Sequence, residues 1–171
     1  VLSDAAGSLA RGIENVDFAT AIPQLQKGEF SESVGTGIDS WTLRQPLGVC
    51  VGITPFNFPA MVPLWMFPLS IACGNTFVLK PSERDPSCGM RLAELAHQAG
   101  LPPGAFNVVT GSGRKVCMTL VKDPRVRVVS FTGSTAVGRT INEACAPDFK
   151  HVHLEMGGKN PIIVINDANL E

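Results

Sequence analysis

The chain has 171 residues, of which 44% are hydrophobic and 17% charged, and its formal net charge is −1. This composition is typical of a globular protein with one well-buried domain, although two small domains would also fit the length. The near-neutral charge and the absence of a basic run argue against a nucleic-acid partner. The longest apolar stretch, 60–73, is interrupted by prolines and is too short to span a bilayer, so no membrane association is expected.

The N-terminal part of the chain predicts a helix followed by an irregular lead-in. Apolar residues at helical spacing over 1–27 indicate a surface helix, and the glycine-rich residues that follow predict turns leading into an extended segment at 41–45. We therefore expect residues 1–45 to form a first region. Because the chain begins at Val1 and its last residues resemble the opening of another element, we also expect it to be a piece of a longer polypeptide.

From residue 46 onward, short apolar runs alternate with helical segments of roughly 10–15 residues. The predicted strands are Val49–Ile53, Thr76–Leu79, Phe106–Val109, Val126–Phe131, Val152–Leu154 and Pro161–Ile165. Between them we expect helices, including a proline-kinked one over Pro59–Cys73 and one with Asp85 as its N-cap and Pro86 at its first position. This alternation predicts an α/β fold for residues 46–171, with a Rossmann-like parallel sheet and helices on both faces.

The cysteines of the chain are odd in number, scattered and without a C-x-x-C pair. They lie within or beside apolar runs, where buried structural thiols are the usual outcome. Reduced thiols indicate a cytoplasmic location, with the mitochondrial matrix as the alternative. His151 and His153 would share one face of a strand, but no cysteine or carboxylate spacing completes a metal site around them.

Polar residues and glycines follow directly, or nearly so, after the predicted strands. They are Asn57, Lys80, Gly111, Thr132 and Glu155. Because ligands of parallel α/β sheets bind at the carboxyl ends of the strands, we expect these residues to mark one site.

The pair Lys80 and Glu83 has two interpretations. It is either a solvent-exposed ion pair worth roughly 0–1 kcal/mol, or a grip on the two ribose hydroxyls of an adenosine. A carboxylate there would repel a 2′-phosphate, which favours NAD over NADP. Gly133 and Ser134 start a helix, where backbone N–H groups could hold an anion. For so short a motif the simpler interpretation, Ser134 as an N-cap, is favoured, and no G-x-G-x-x-G fingerprint is present.

Asn57 and Glu155 are the candidates for chemistry. Asn57 lies in apolar sequence, and we expect a buried amide, which costs about 1–3 kcal/mol if it has no partner or ligand. Glu155 lies between Leu154 and Met156. It is either a general base with a pKa raised by desolvation, or a strand-end glutamate that reaches water.

Several longer blocks carry a family resemblance. They are PFNFP (55–59), CGNTFVLKPSE (73–83), GLPPGAFNVVTG (100–111), FTGSTAVG (131–138) and LEMGGKNP (154–161). In this order they resemble the NAD(P)-dependent aldehyde dehydrogenases. The stretch KGEFSESVGTGIDSWTLRQPLGV and Arg84 are most similar to the methylmalonate-semialdehyde dehydrogenase branch. The resemblance implies the NAD-binding portion of that fold, with residues 46–171 ending before the catalytic domain.

The resemblance also implies a role for each matching residue. Asn57 would donate its amide to the oxyanion of a thiohemiacetal, and Glu155 would activate the water that hydrolyses an acyl-enzyme thioester. The cofactor would be lined by Thr54 and Phe56 at the nicotinamide ribose, Lys80, Glu83 and the neighbouring Arg84 at the adenosine ribose, Gly111 and Gly113 at the adenine, and Gly133 and Ser134 at the pyrophosphate. NAD would accept the hydride of an aldehyde substrate, and the parent enzyme would be a homo-oligomer.

Two departures from the family pattern matter. The family's nucleophilic cysteine lies downstream of the LEMGGKNP block, and no cysteine of this chain matches it, so we expect the isolated chain to bind NAD without oxidising aldehydes. The branch that transfers its acyl group to coenzyme A usually lacks Glu155. Its presence predicts hydrolysis, with coenzyme A as the alternative acceptor. A non-catalytic nucleotide-binding domain is a second hypothesis.

Overall fold

A computed structural model describes residues 1–169 of the chain. The N-terminal region contains two helices and a hairpin: α1 (Leu2–Ala19), α2 (Ile22–Leu25), β1 (Phe30–Gly35) and β2 (Ile38–Trp41). The surface helix expected over 1–27 is thus present as α1 with a short second helix. Gly12 is buried on α1 against Leu64.

The hairpin differs from the expected lead-in. Strands β1 and β2 pair antiparallel where turns were expected, and residues 42–48 belong to no helix or strand. The chain reverses at Thr36 and Gly37, and Gly37 has a φ of +68°, which glycine adopts without strain. Ser33 also has a positive φ of 55°, and the register shifts around it. This irregularity hides the two-residue alternation by which a strand is recognised.

The five-stranded sheet is parallel throughout, and its strand order is β5-β4-β3-β6-β7. The strands are β3 (Val49–Ile53), β4 (Thr76–Lys80), β5 (Phe106–Val108), β6 (Val126–Thr132) and β7 (His151–Glu155). The helices between them are α3 (Met61–Ala72), α4 (Ser87–Gln98), α5 (Gly113–Lys122) and α6 (Thr135–Cys145). The predicted α/β fold with a Rossmann-like parallel sheet is confirmed.

The helices cover both faces of the sheet. On one face, α3 and α4 contribute Leu64, Phe67 and Leu92 to a cluster with the buried side chains Phe77 and Leu79. On the other face, α5 and α6 pack against β3 and β6 in a second cluster. The chain winds outward from β3 to β5, crosses back through α5 and winds in the opposite direction from β6 to β7. Neighbouring strands β3 and β6 therefore form the point at which the winding reverses.

A buried lysine joins the second helical layer to the edge of the sheet. The Nζ of Lys150 donates hydrogen bonds to the carbonyl oxygens of Val121 and Asp123, both at 2.7 Å, and lies 3.5 Å from Oδ2 of Asp148. Its side chain is 2% exposed. These bonds satisfy carbonyls at the C-terminus of α5, which have no partner inside the helix, and fix where β7 begins.

Two local predictions are wrong. Pro161–Ile165 is irregular, with Ile162 89% exposed, and it pairs with none of the strands among residues 1–169, although β7 lies at the edge of the sheet. Asp85 does not cap α4, which begins one residue later than expected, with Pro86 at the N-cap. The carboxylate of Asp85 instead accepts a hydrogen bond of 2.6 Å from the hydroxyl of Ser87. Within the described range, none of the helices has the length and apolar character needed to cross a bilayer.

The contact between α1 and α3 leads to a stability prediction. A Cβ at Gly12 would lie 2.5 Å from Cδ1 of Leu64, whereas a Cβ at Gly7 would meet nothing within 4 Å. We expect Gly12→Ala to lower the free energy of unfolding by about 1–2 kcal/mol through overpacking. Gly7→Ala should raise it by up to about 1 kcal/mol through helix propensity. Urea unfolding of both variants tests this, and equal effects at the two positions would contradict the packing.

Candidate functional site: a cavity at the reversal of the sheet

A cavity of about 660 Å³ lies where the winding of the sheet reverses. Its walls come from the ends of β3, β4 and β6 and from the first turns of α5 and α6. We refer to it as the main cavity. Its size falls within the roughly 300–1,000 Å³ typical of small-ligand sites. The two α/β halves of the fold diverge here, which leaves a crevice at the carboxyl ends of their strands.

Lys80 ends β4 and points into the main cavity. The residue is only 4% exposed, and its Nζ lies 3.7 Å from Oε2 of Glu83, whose side chain is 58% exposed. The sequence analysis considered a solvent-exposed ion pair. Glu83 is exposed as that interpretation requires, but Lys80 is buried, so the interpretation is wrong for the lysine. The backbone N–H of Gly113 also donates a hydrogen bond of 2.6 Å to the same Oε2. Glu83 thus joins the end of β4 to the start of α5.

The first turn of α6 lies on the opposite wall. Ser134 caps this helix, since its Oγ accepts a hydrogen bond from the N–H of Val137 at 3.4 Å. Gly133 precedes it and donates its backbone N–H to the carbonyl oxygen of Glu155 at 3.0 Å. Both residues line the main cavity. The capping interpretation of Ser134 thus agrees with the structure, and the helix also directs its N-terminal dipole towards the cavity.

Two buried hydroxyls in the wall have no partner. Neither Oγ1 of Thr54 nor Oγ1 of Thr132 makes a hydrogen bond to any described residue, although Thr54 is only 5% exposed. Both residues line the main cavity. Buried polar groups are nearly always hydrogen-bonded, so these two hydroxyls need a partner that the described residues do not supply.

Phe56 and Arg84 form a contact at the edge of the main cavity. The guanidinium carbon of Arg84 lies 4.7 Å from the centroid of the Phe56 ring, a cation–π distance. This contact joins the loop after β3 to the loop after β4. All the residues expected at a cofactor line the main cavity except Gly111, which lies in the turn before α5 with a φ of +134°.

Asn57 and Glu155 line a second, adjoining cavity of about 590 Å³, which shares Phe56, Gly133 and Ser134 with the main cavity. The structure thus brings the two candidates for chemistry to one space. The burial expected for Asn57 is wrong, because the residue is exposed. Glu155 is also exposed, which agrees with the alternative of a strand-end glutamate that reaches water. Asn57 lies on a loop beyond β3 and Glu155 at the end of an edge strand, and within residues 1–169 no element covers either of them.

Cys117 is a cavity residue that the sequence analysis assigned to structural packing. It is buried, and it lines the main cavity beside Lys80 and Glu83. The sequence spacing could have placed Cys117 at the cavity, because it lies four residues after Gly113 and therefore one turn further along the same face of α5. Burial raises the pKa of the Cys117 thiol, and the charge of Lys80 partly opposes this. In the described part of the chain, no group of His, Cys, Asp and Glu could hold a metal ion.

The sequence matches the model of the aldehyde dehydrogenase family over residues 1–171. The chain belongs to the aldehyde dehydrogenase family. It is 54% identical over 170 residues to malonate-semialdehyde dehydrogenase of Pseudomonas aeruginosa, covering 99% of this chain and 34% of that protein. It is 48% identical to the acylating mitochondrial methylmalonate-semialdehyde dehydrogenase of Arabidopsis thaliana, covering 99% of this chain and 28% of the plant protein.

A solved structure gives the same assignment. A Sinorhizobium meliloti protein assigned as a methylmalonate-semialdehyde dehydrogenase and crystallised with NAD superposes with a TM-score of 0.90 at 49% identity. The match covers 94% of this chain and 32% of that one. The resemblance to this branch of the aldehyde dehydrogenases is therefore confirmed. The chain spans about a third of the length of these relatives.

The raised pKa of Cys117 predicts slow alkylation. Only the thiolate reacts, and each unit of pKa changes the thiolate fraction about tenfold. We expect iodoacetamide to modify Cys117 more slowly in the folded chain at pH 8 than in the urea-unfolded chain. The rate should keep rising above the ordinary thiol pKa of 9.0. Because folding disfavours this thiolate, the free energy of unfolding should fall as the pH rises through that value.

Mass spectrometry of the Cys117 peptide measures both rates. Equal rates and equal pH profiles in the folded and unfolded chains would contradict the burial of this thiol.

Proposed function

We propose that this chain forms the cofactor-binding part of an NAD-dependent aldehyde dehydrogenase acting on methylmalonate semialdehyde or a related semialdehyde. Membership of the family and the similarity to semialdehyde dehydrogenases support the reaction class. The observation that carries the assignment of the site is the main cavity, with a buried ammonium on one wall and a helix N-terminus on the other. The NAD complex of the Sinorhizobium meliloti relative supports the choice of cofactor.

At the adenosine end, Lys80 and Glu83 would bind the two ribose hydroxyls. The ammonium of Lys80 donates hydrogen bonds and the carboxylate of Glu83 accepts them, which matches a diol. Arg84 adjoins this pair, and Gly113 with Gly111 would border the adenine. A glycine at 113 suits a close ligand, because a Cβ there would project between Glu83 and Lys80, at 3.6 and 3.9 Å from their charged atoms.

At the other end, the first turn of α6 would hold the pyrophosphate through Gly133 and Ser134. A helix N-terminus stabilises an anion through its free N–H groups and its dipole. Thr54 and Phe56 would line the nicotinamide ribose. The orphaned hydroxyls of Thr54 and Thr132 fit this interpretation, since a nucleotide supplies the polar partners that the protein does not.

Asn57 and Glu155 would serve the reaction itself. The cofactor accepts a hydride when bound, and the protein must stabilise the oxyanion that precedes this transfer. Asn57 would donate its side-chain amide to that oxyanion, an interaction whose loss typically lowers kcat about 10²–10³-fold. Glu155 would remove a proton from the water that attacks the acyl thioester. The N–H of Gly133 donates a hydrogen bond to the backbone carbonyl of Glu155, so this one residue links the proposed base to the proposed pyrophosphate site.

Calorimetry with NAD tests the cofactor site on the chain itself. We expect the 171-residue chain to bind NAD, and Lys80→Met to weaken binding at least about tenfold, because a hydrogen bond from a charged group contributes about 1.5–3 kcal/mol. Methionine keeps the packing of the buried stem. The matched control is Lys115→Met, an exposed lysine on α5 outside the main cavity. Failure of the unaltered chain to bind NAD would contradict the proposed site.

The fate of the acyl group separates two versions of the enzyme. Glu155 favours hydrolysis to a free acid, whereas similarity to an acylating plant enzyme favours transfer to coenzyme A. In the enzyme that contains this segment, we expect free acid as the product with or without coenzyme A, and we expect Glu155→Gln to slow its release about 10²–10⁴-fold. Product analysis by mass spectrometry decides this. Acyl-coenzyme A as the sole product would refute the hydrolytic version.

The remaining features of the whole protein follow from the same proposal. We place a boundary near residue 45, because every strand of the five-stranded sheet and every residue of the main cavity lies in 46–171. A homo-oligomer and a cytoplasmic or mitochondrial location belong to the proposal, and the relatives include both bacterial and mitochondrial proteins. A non-catalytic nucleotide-binding domain is the alternative. An enzyme containing this segment that binds NAD but turns over no semialdehyde would favour it.

A further inference from the structure

The carboxylate of Glu83 is fixed although its side chain is more than half exposed. The N–H of Gly113 donates a hydrogen bond of 2.6 Å to Oε2, and Nζ of Lys80 lies 3.7 Å from the same oxygen. An exposed glutamate ordinarily samples several rotamers. Here two groups on different elements, β4 and α5, contact the same oxygen, Oε2. Glu83 therefore has one preferred position in the wall of the main cavity.

We propose that the backbone N–H of Gly113 determines cofactor specificity, because it fixes Glu83 where a 2′-phosphate would lie. This inference rests on the proposed function, in which Glu83 binds the ribose. It adds that the position of the carboxylate, and not only its presence, selects NAD over NADP. Oε1 remains available to accept a hydrogen bond from a free 2′-hydroxyl. A 2′-phosphate carries about −1.5 to −2 charges near neutral pH and would meet a carboxylate that the N–H of Gly113 holds in place.

Arg84 supports this assignment, because it is the neighbouring residue that could otherwise hold a 2′-phosphate. Arginines near the ribose accommodate that phosphate in NADP-binding folds. Here the guanidinium of Arg84 lies over the ring of Phe56, on the loop after β3. Arg114 also lines the main cavity, from α5. For NADP to be accepted, Glu83 would have to leave Gly113 and one of these arginines would have to replace it.

The position of Gly113 allows the donor to be removed cleanly. Gly113 is the first residue of α5, where the backbone N–H is not used within the helix and proline is favoured. Ser112 has a ψ of 129°, the extended conformation required before proline. Gly113→Pro therefore removes the N–H, and its ring displaces the carboxylate, while the cap from Ser112 to Lys115 remains. Lys115→Met is the matched control, because it changes an exposed residue of the same helix outside the main cavity and keeps the N–H of Gly113.

Calorimetry with NAD and NADP on the full chain and both variants tests the proposal. We expect the unaltered chain and Lys115→Met to bind NAD at least about 100-fold more tightly than NADP. In Gly113→Pro the ratio should fall below about tenfold, mainly because NADP binds more tightly. An unchanged ratio in Gly113→Pro would overturn the proposal. So would equal affinities for NAD and NADP in the unaltered chain, although NAD binding would then still support the proposed function. No binding of either nucleotide would overturn both.

A second measurement does not depend on the folding of Gly113→Pro. In the ¹H–¹⁵N spectrum of the unaltered chain, we expect the amide proton of Gly113 to lie downfield, as befits a short bond to a carboxylate. It should move upfield in Glu83→Ala and stay in place in Lys115→Met. A Gly113 resonance that does not respond to Glu83→Ala would overturn the proposal, because the bond on which it depends would not exist in solution.

Discussion

The position of β3 between β4 and β6 is the constraint on which the rest of the structure depends. β3 is buried along nearly its whole length and pairs in parallel with β4 on one side and β6 on the other. The chain therefore adds strands in one direction after β3 and in the opposite direction from β6 onward. The helices that follow β3 and β6 then lie on opposite faces of the sheet. Because these helices diverge, the main cavity opens between them. The strands whose ends line it, β3, β4 and β6, are held side by side by the pairing of β3 with its two neighbours.

Electrostatics give the cavity its polarity. The buried ammonium of Lys80 has one nearby carboxylate, and the helix N-termini of α5 and α6 add partial positive charge to the same space. Such a site attracts anions overall. The carboxylate of Glu83 makes one part of its wall negative. The wall is therefore asymmetric, with a diol favoured at one end and phosphates at the other.

Much of this arrangement could be predicted from the sequence. The apolar run Val49–Ile53 is continuous because β3 is buried on both faces, and this makes it easy to recognise. The polar residues that follow such runs then mark the carboxyl edge. Cys117 was missed because its spacing from Gly113 along one face of α5 becomes informative only once Gly113 is known to line a cavity.

The failures have a common cause in the tertiary structure. Whether Asn57 and Glu155 are buried depends on which elements cover the carboxyl edge, and local sequence does not record this. Pro161–Ile165 has the composition of a strand, but composition does not show whether the segment pairs with a neighbouring strand, and here it pairs with none among residues 1–169. The hairpin was missed because Ser33 breaks its alternation. Asp85 illustrates the limit of capping rules, since the neighbouring Ser87 competes for its carboxylate.

The irregular run from Ile162 to Ile165 has a consequence for the behaviour of the chain in solution. Four consecutive β-branched, uncharged residues are exposed there, between Pro161 and Asn166. Segments of this kind readily add to one another as strands, because self-association satisfies the backbone and removes apolar surface from water. Solubility of the 171-residue chain should therefore be limited by this segment rather than by its folded core, and a charged substitution within it would be the first means of raising the working concentration.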